Sequence, residues 1–264
     1  MFSEKLEFAI EVARGAGKIL RENYGKSKEI NFKGEIDLVT NVDLQSEKFI
    51  ISQIKGKYPD DKILAEESGE SGTGGNVWII DPLDGTTNFA HDYPKFAVSI
   101  GYVEDGVIKI GVIYDPLLDE LFYAERGKGA FLNGKKLKVS EIGNLQVALL
   151  ATGFTYDVKV TGKNLSEFRH FVLTVQGVRR DGSAALNLAY LAAGRFDGFW
   201  EYGLKPWDVV AGVLLVEEAG GRVTDMSGGE YKIGSYEILA SNGKIHGEMI
   251  EVLKKAREEQ DGEK

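Results

Sequence analysis

Two carboxylates stand three positions apart where an apolar run ends, in the stretch Val77-Trp78-Ile79-Ile80-Asp81-Pro82-Leu83-Asp84-Gly85-Thr86-Thr87-Asn88-Phe89. Residues 77–80 read as a short buried strand, and the dense turn-formers that follow predict that it stops abruptly at Asp81. Such a turn can aim Asp81, Asp84 and the carbonyl of Leu83 at one point. That is an all-oxygen pocket, suited to a hard cation such as Mg²⁺. Gly85-Thr86-Thr87-Asn88 then offers a residue without a Cβ followed by hydroxyl residues that can begin a helical turn, whose free N–H groups would bind an anion. Asp-Pro and Asp-Gly met singly are ordinary turn chemistry. Fused to a buried strand and to an anion cradle, they point to a metal-bound phosphate.

The rest of the chain limits what else can take part. Its 264 residues contain no Cys, which removes disulfides, thiolate metal sites and Cys nucleophiles together. The three His (His91, His170 and His246) are too few and scattered for a His-rich zinc centre, so carboxylates must carry any metal. A formal charge of −9 disfavours general nucleic-acid binding, although metal ions can reverse the field locally. No apolar run approaches the ~18 residues of a membrane span, and the N-terminus lacks a basic-then-apolar leader. The cytoplasm is therefore the expected location.

The elements that must position these groups are legible in outline. Residues 3–24 carry Leu6, Ile10, Ala13, Gly17 and Leu20 on one helical face, with Ser3 as N-cap and Gly25 past the end. A second helix follows Thr40, which has capping-box spacing to Asp43. Capping explains Asp43 as well as catalysis does. Residues 63–68 form another apolar strand ending in acid at Glu66 and Glu67. If it lies beside the strand ending at Asp81, the acids meet at one edge, whereas adjacent glutamates are otherwise usually solvated. Residues 69–76, rich in Gly and Ser, read as a loop able to move over a site. Residues 96–103, 107–114 and 120–125 read as an antiparallel meander, and residues 131–137 as a tight hairpin. Beyond about residue 140, strands at 147–151 and 196–201 alternate with helices at 164–175 and 183–193. Pro206-Trp207-Asp208 opens a further helix, where the dipole alone could account for Asp208. No linker divides the chain and no internal repeat is present, so the 264 residues read as one domain with halves meeting near residue 140.

Ala65-Glu66-Glu67-Ser68, residues 78–88, Lys205-Pro206-Trp207-Asp208 and Glu218-Ala219-Gly220-Gly221 together resemble the paired signatures of the inositol monophosphatase family. The resemblance spans nearly the whole chain, from Leu38-Val39-Thr40 to the C-terminal helix. It implies an α/β sandwich in which an antiparallel N-terminal sheet with paired helices packs against a smaller C-terminal α/β half, with the site between them. By the same resemblance Glu66, Asp81, the carbonyl of Leu83, Asp84 and Asp208 match ligands for two or three Mg²⁺. Gly85 and Thr86 match the phosphate cradle, Lys33 a nearby lysine, and Asp43 the acid that partners the Thr86 hydroxyl. Glu201 matches a ligand of substrate hydroxyls and Ala184 a backbone contact to substrate, with Arg179 or Arg180 facing the substrate. A homodimer is expected, acting on a small phosphate monoester.

These parts suffice for hydrolysis. Metal ions would lower the pKa of the attacking water and stabilise the leaving oxygen, while Asp43, through Thr86, orients or deprotonates that water. In-line displacement needs no covalent enzyme intermediate. Hydrolysis of inositol 1-phosphate is the expected reaction. Fructose-1,6-bisphosphatase or 3′-nucleotidase activity would use the same core, and a non-catalytic phosphate sensor or partner-binding protein is the reading from another class. Phe154, Tyr156, Arg179, Arg180 and Glu201 are the candidates for selecting the alcohol.

Overall fold

The computed structural model describes residues 2–26, 30–32 and 38–262. The first half comprises α1 (Glu4–Asn23), β1 (Ile30–Phe32), β2 (Leu38–Thr40), α2 (Asn41–Lys57), β3 (Lys62–Ala65), β4 (Gly69–Ser71), β5 (Val77–Asp84) and α3 (Thr86–Ala90). It continues through β6 (Ala97–Glu104), β7 (Val107–Asp115), β8 (Glu120–Glu125), β9 (Gly129–Leu132) and β10 (Lys135–Lys136). The second half comprises β11 (Leu149–Thr152), α4 (Val158–Thr161), α5 (Leu165–Val172), β12 (Gly177–Arg179), α6 (Ala184–Ala192) and β13 (Gly198–Tyr202). α7 (Pro206–Glu218), β14 (Arg222–Thr224), β15 (Glu237–Ser241) and α8 (His246–Gly262) complete it.

β5 is the spine. It lies in an eight-stranded sheet of order β10-β9-β8-β7-β6-β5-β3-β4, antiparallel to β6 and parallel to β3. Successive strand residues face opposite sides. Trp78 and Ile80 accordingly pack with Leu6, Leu20 and Ile50 of α1 and α2, while Ile79 packs with Leu188 and Leu214 of α6 and α7. α6 is buried along its whole length, as a helix apolar all round must be. The far side of the α6–α7 pair is covered by a second sheet, β12-β11-β13-β15-β14. Ala151, Phe199 and Ala240 of that sheet join the α6–α7 core, whereas Leu150, Trp200 and Leu239 face Phe171, Met249 and Leu253 of α5 and α8. The layers are therefore α1/α2, large sheet, α6/α7, small sheet and α5/α8.

Local signals hold where they are self-contained. Ser3 Oγ accepts from Leu6 N at 3.2 Å, and Thr40 with Asp43 forms a complete capping box. Three expectations change. β5 does not stop at Asp81 but continues to Asp84 through a register shift against β6. Pro82 has no N–H for the ladder, so the strand bulges there instead of ending. Within the expected mobile loop, Gly69–Ser71 is an edge strand paired antiparallel with β3. The large sheet, expected to be antiparallel, is also mixed, because β3 and β5 run parallel. Among the described residues no helix is long and apolar enough to cross a membrane.

Candidate active site

The bulge of β5 opens onto a cavity of ≈ 540 Å³ between the two sheets. Glu66, Asp81, Leu83, Asp84, Gly85, Thr86 and Asp208 line one part of it, and Arg180, Ala184 and Glu201 line another. The parallel pairing of β3 with β5 sets Ala65 beside Ile80, which brings Glu66 next to Asp81 at the sheet edge. α2 secures both ends: Ser46 Oγ donates to Pro82 O at 2.9 Å, and Glu47 Oε2 accepts from Glu67 N at 2.8 Å.

Four of the acids, Asp81, Asp84, Asp208 and Asp43, are each held by an identifiable donor. Asp81 Oδ1 accepts from Leu83 N at 2.9 Å, closing a turn on itself. Asp84 Oδ2 accepts from Ser183 Oγ at 2.5 Å and Ala185 N at 2.8 Å at the start of α6, which leaves Oδ1 for a cation. Asp208, in the first turn of α7, accepts from Lys205 N at 2.7 Å. Gly85, at φ 97°, makes the turn into α3; a Cβ there would lie 2.8 Å from Lys95 O. The Thr86 hydroxyl lies 2.9 Å from Asp43 Oδ1 and 3.1 Å from Leu83 O. Asp43 Oδ2 meanwhile accepts from Thr40 N at 3.0 Å and Thr40 Oγ1 at 2.5 Å. The capping and catalytic readings of Asp43 are thus geometrically compatible, with one carboxylate oxygen serving each.

The electrostatics mark the cluster as cation-seeking. Burial, then the charges of Glu66, Asp84 and Asp208, holds the Asp81 carboxyl well above the usual range. Burial likewise raises Asp208 strongly, against the opposing Lys205 N–H, with Asp84 and Glu66 adding to the rise. Burial lifts Asp84 to about 6 although Ser183 and Ala185 favour its ionised form. Glu201 is pushed up to about 8, first by burial and then by Asp208 and Asp84, with Arg180 opposing. Asp43 is raised by burial against hydrogen bonds from Thr40 and Thr86. Positive charge placed among these acids relieves the repulsion. Among the described residues no three His, Cys, Asp or Glu side chains form a closed metal cage by themselves. An open, all-oxygen set fits Mg²⁺ well, because that ion keeps several waters and takes phosphate oxygens as ligands.

On the opposite wall, Glu201 is 8% exposed and seated so closely that a Cβ on Gly153 would lie 2.0 Å from its Oε1. Phe154 and Tyr156 line the cavity as well. Of the two arginines, Arg180 lines it and Arg179 does not. Arg179 ends β12 opposite Ala151, is exposed, and its Nη1 lies 3.3 Å from Val178 O, so it is removed from the substrate-facing set. Arg180 lies just past the end of β12, where the chain leaves the strand. Lys33 lies outside the described residues. Sequence reasoning missed Ser46, Glu47, Ser183 and Asn88, whose Nδ2 ties α3 to the Arg180 loop through Asp181 O at 2.7 Å. All four are ordinary polar residues whose roles depend on long-range contacts.

The profile of the inositol monophosphatase family matches residues 2–259. A fructose-1,6-bisphosphatase/inositol-1-monophosphatase from Thermotoga maritima is 41% identical over 97% of this chain and 98% of its own. Nus factor SuhB from Escherichia coli is 46% identical over 93% of this chain and 94% of its own. The solved structure of inositol monophosphatase from Anabaena (Nostoc) sp. PCC 7120 superposes with a TM-score of 0.88 at 47% identity, covering 95% of each chain. By sequence and fold alike, the chain belongs to the inositol monophosphatase family and is a phosphoric monoester hydrolase.

Proposed function

We propose that this protein hydrolyses inositol 1-phosphate to inositol and phosphate with Mg²⁺. The observation that carries this reading is the meeting of Glu66, Asp81, Leu83, Asp84 and Asp208 on one wall of a cavity whose other wall presents Glu201, Ala184 and Arg180. The first set would hold two or three ions. Mg²⁺ held there would supply Lewis acidity, offsetting charge on the phosphoryl oxygens and lowering the pKa of the attacking water. The backbone N–H groups of Gly85 and Thr86 receive the phosphate, with Lys33 as the proposed nearby cation. The Thr86 hydroxyl, hydrogen-bonded to Asp43, orients the water and passes its proton toward that carboxylate. Water oxygen bonds to phosphorus, the ester P–O bond breaks, and the leaving oxygen takes a proton from solvent water to depart as the alcohol. Glu201 and the α6 N-terminus around Ala184 receive the alcohol.

A second substrate class is favoured by one feature. Arg180 and Lys205, both basic, line the same cavity, and a second phosphate group on the alcohol could meet them. Phosphate release from inositol 1-phosphate, fructose 1,6-bisphosphate and 3′-phosphoadenosine phosphate, each with Mg²⁺ and with chelator, separates the readings. Fastest Mg²⁺-dependent release from inositol 1-phosphate supports the first; no turnover of any of the three refutes both.

A further inference from the structure

Asn187 lies on α6 one turn beyond Ser183 and Ala184, and all three line the cavity. Its side chain is nearly sealed, the residue being only 1% exposed, yet Oδ1 has no hydrogen-bond partner. Among the described residues the amide nitrogen meets none either, and only the backbone of Asn187 is engaged, donating to Ser183 O at 3.1 Å. Exchanging the amide oxygen and nitrogen would change nothing, since neither end has a protein partner. An unpaired buried carboxamide destabilises a fold, and a Leu of similar size would fill the same space without that cost. Its surroundings on α6 are otherwise apolar: Ala185, Leu186, Leu188 and Ala189 are all buried in the core.

Another group lining the cavity is short of a partner in the same way. Thr155 Oγ1, in the same cavity, is also without one. Glu201 in its ionised form can only accept hydrogen bonds, whereas a carboxamide accepts at one end and donates at the other. Neighbouring hydroxyls on a ring offer that complement: one donates to Oδ1 while the next accepts from Nδ2.

We propose that the Asn187 carboxamide recognises hydroxyls of the alcohol half of the substrate, selecting phosphates of polyols over phosphates of hydroxyl-free rings of the same size. This inference rests on the reading of the cavity as a polyol phosphatase site. The test compares inositol 1-phosphate with cyclohexyl phosphate, which keeps the ring and the ester but has no hydroxyl to bind. In Asn187→Leu, the ratio of kcat/KM for the two esters should fall by about ten- to a hundredfold, chiefly through KM for the polyol. The melting temperature should hold or rise, because an apolar group replaces an unsatisfied one. An unchanged ratio overturns the proposal, as does a parallel loss on both esters together with a lower melting temperature. Asn187→Ala, which only removes atoms, gives the same ratio if the Leu variant does not fold. Failure of the wild type to hydrolyse inositol 1-phosphate with Mg²⁺ would refute the parent reading and this inference with it; an active wild type whose ratio survives the substitution refutes the inference alone.

Discussion

Asp43→Asn separates capping from proton transfer, because the two oxygens of this wholly buried carboxylate do different things. Oδ2 accepts from the backbone N–H and hydroxyl of Thr40, and Oδ1 accepts from the Thr86 hydroxyl. The amide can keep its oxygen toward Thr40, since Asn and Asp are near equals as caps. Its NH₂ then points at Thr86 as a donor, so the Thr86 hydroxyl must accept from it and turn its own proton to Leu83 O, 3.1 Å away. A proton can no longer pass from the water through that hydroxyl to a carboxylate. Loss of such assistance costs roughly 10²–10⁴ in kcat, or about 3–5 kcal/mol in the barrier. Stability should change by no more than about 1 kcal/mol, a shift of about 2–4 °C in Tm, because burial already disfavours the charge at this position. Steady-state phosphate release and calorimetry on the same preparation measure both quantities, with KM for the ester expected to stay near its wild-type value. Turnover within about threefold of wild type would show that Asp43 only caps α2.

Glu201→Gln should raise KM for inositol 1-phosphate by a factor corresponding to about 1–3 kcal/mol while sparing a simple aryl phosphate. Parallel decline on both esters would place Glu201 in the metal site or the fold. Ser183→Ala removes a donor from Asp84 and the cap on Leu186 N, so Mg²⁺ affinity measured by calorimetry should weaken about 10–100-fold and stability fall by about 1 kcal/mol. Unaltered affinity would sever the link from Ser183 to the cation. In the metal-free protein, Asp84 near 6 and Glu201 near 8 stand above their unfolded values of 3.8 and 4.5. Their contribution is fully present below about pH 4 and is lost as pH rises through 6 and 8, so denaturation with chelator should show stability falling across that window. Mg²⁺ should flatten the slope by binding the ionised acids. Stability that rises with pH in chelator contradicts the sign.

What was legible in the sequence was mostly local. The Ser3 cap, the Thr40–Asp43 box and the Asn133-Gly134 hairpin each lie within a few residues, where side-chain chemistry dictates backbone geometry. Glu66 meeting Asp81 could be anticipated because two short apolar strands both end in acid. The bulge at Pro82 was not, since only the pairing partner β6 shows that hydrogen bonding resumes at Asp84. β4, β12 and β14 have three residues each, too short for an alternating pattern to emerge. The inward turn of Arg180 depends on where β12 ends, and the partnerless amide of Asn187 depends on a cavity that three elements create together. Pattern in a single chain carries no signal for either.

The central claim is that the β5 bulge and the start of α7 gather carboxylates to hold the cation on which hydrolysis depends. Its most direct test is the Mg²⁺ dependence of inositol 1-phosphate turnover in the wild type and in Asp84→Asn. The amide can still accept from Ser183 and Ala185 through its oxygen, so the fold should survive, but an NH₂ replaces the Oδ1 left for the ion. The account predicts a wild type that is silent in chelator and active with Mg²⁺, and a folded variant with turnover near background even at saturating Mg²⁺. Wild-type turnover in that variant, or full wild-type activity in chelator, would contradict it.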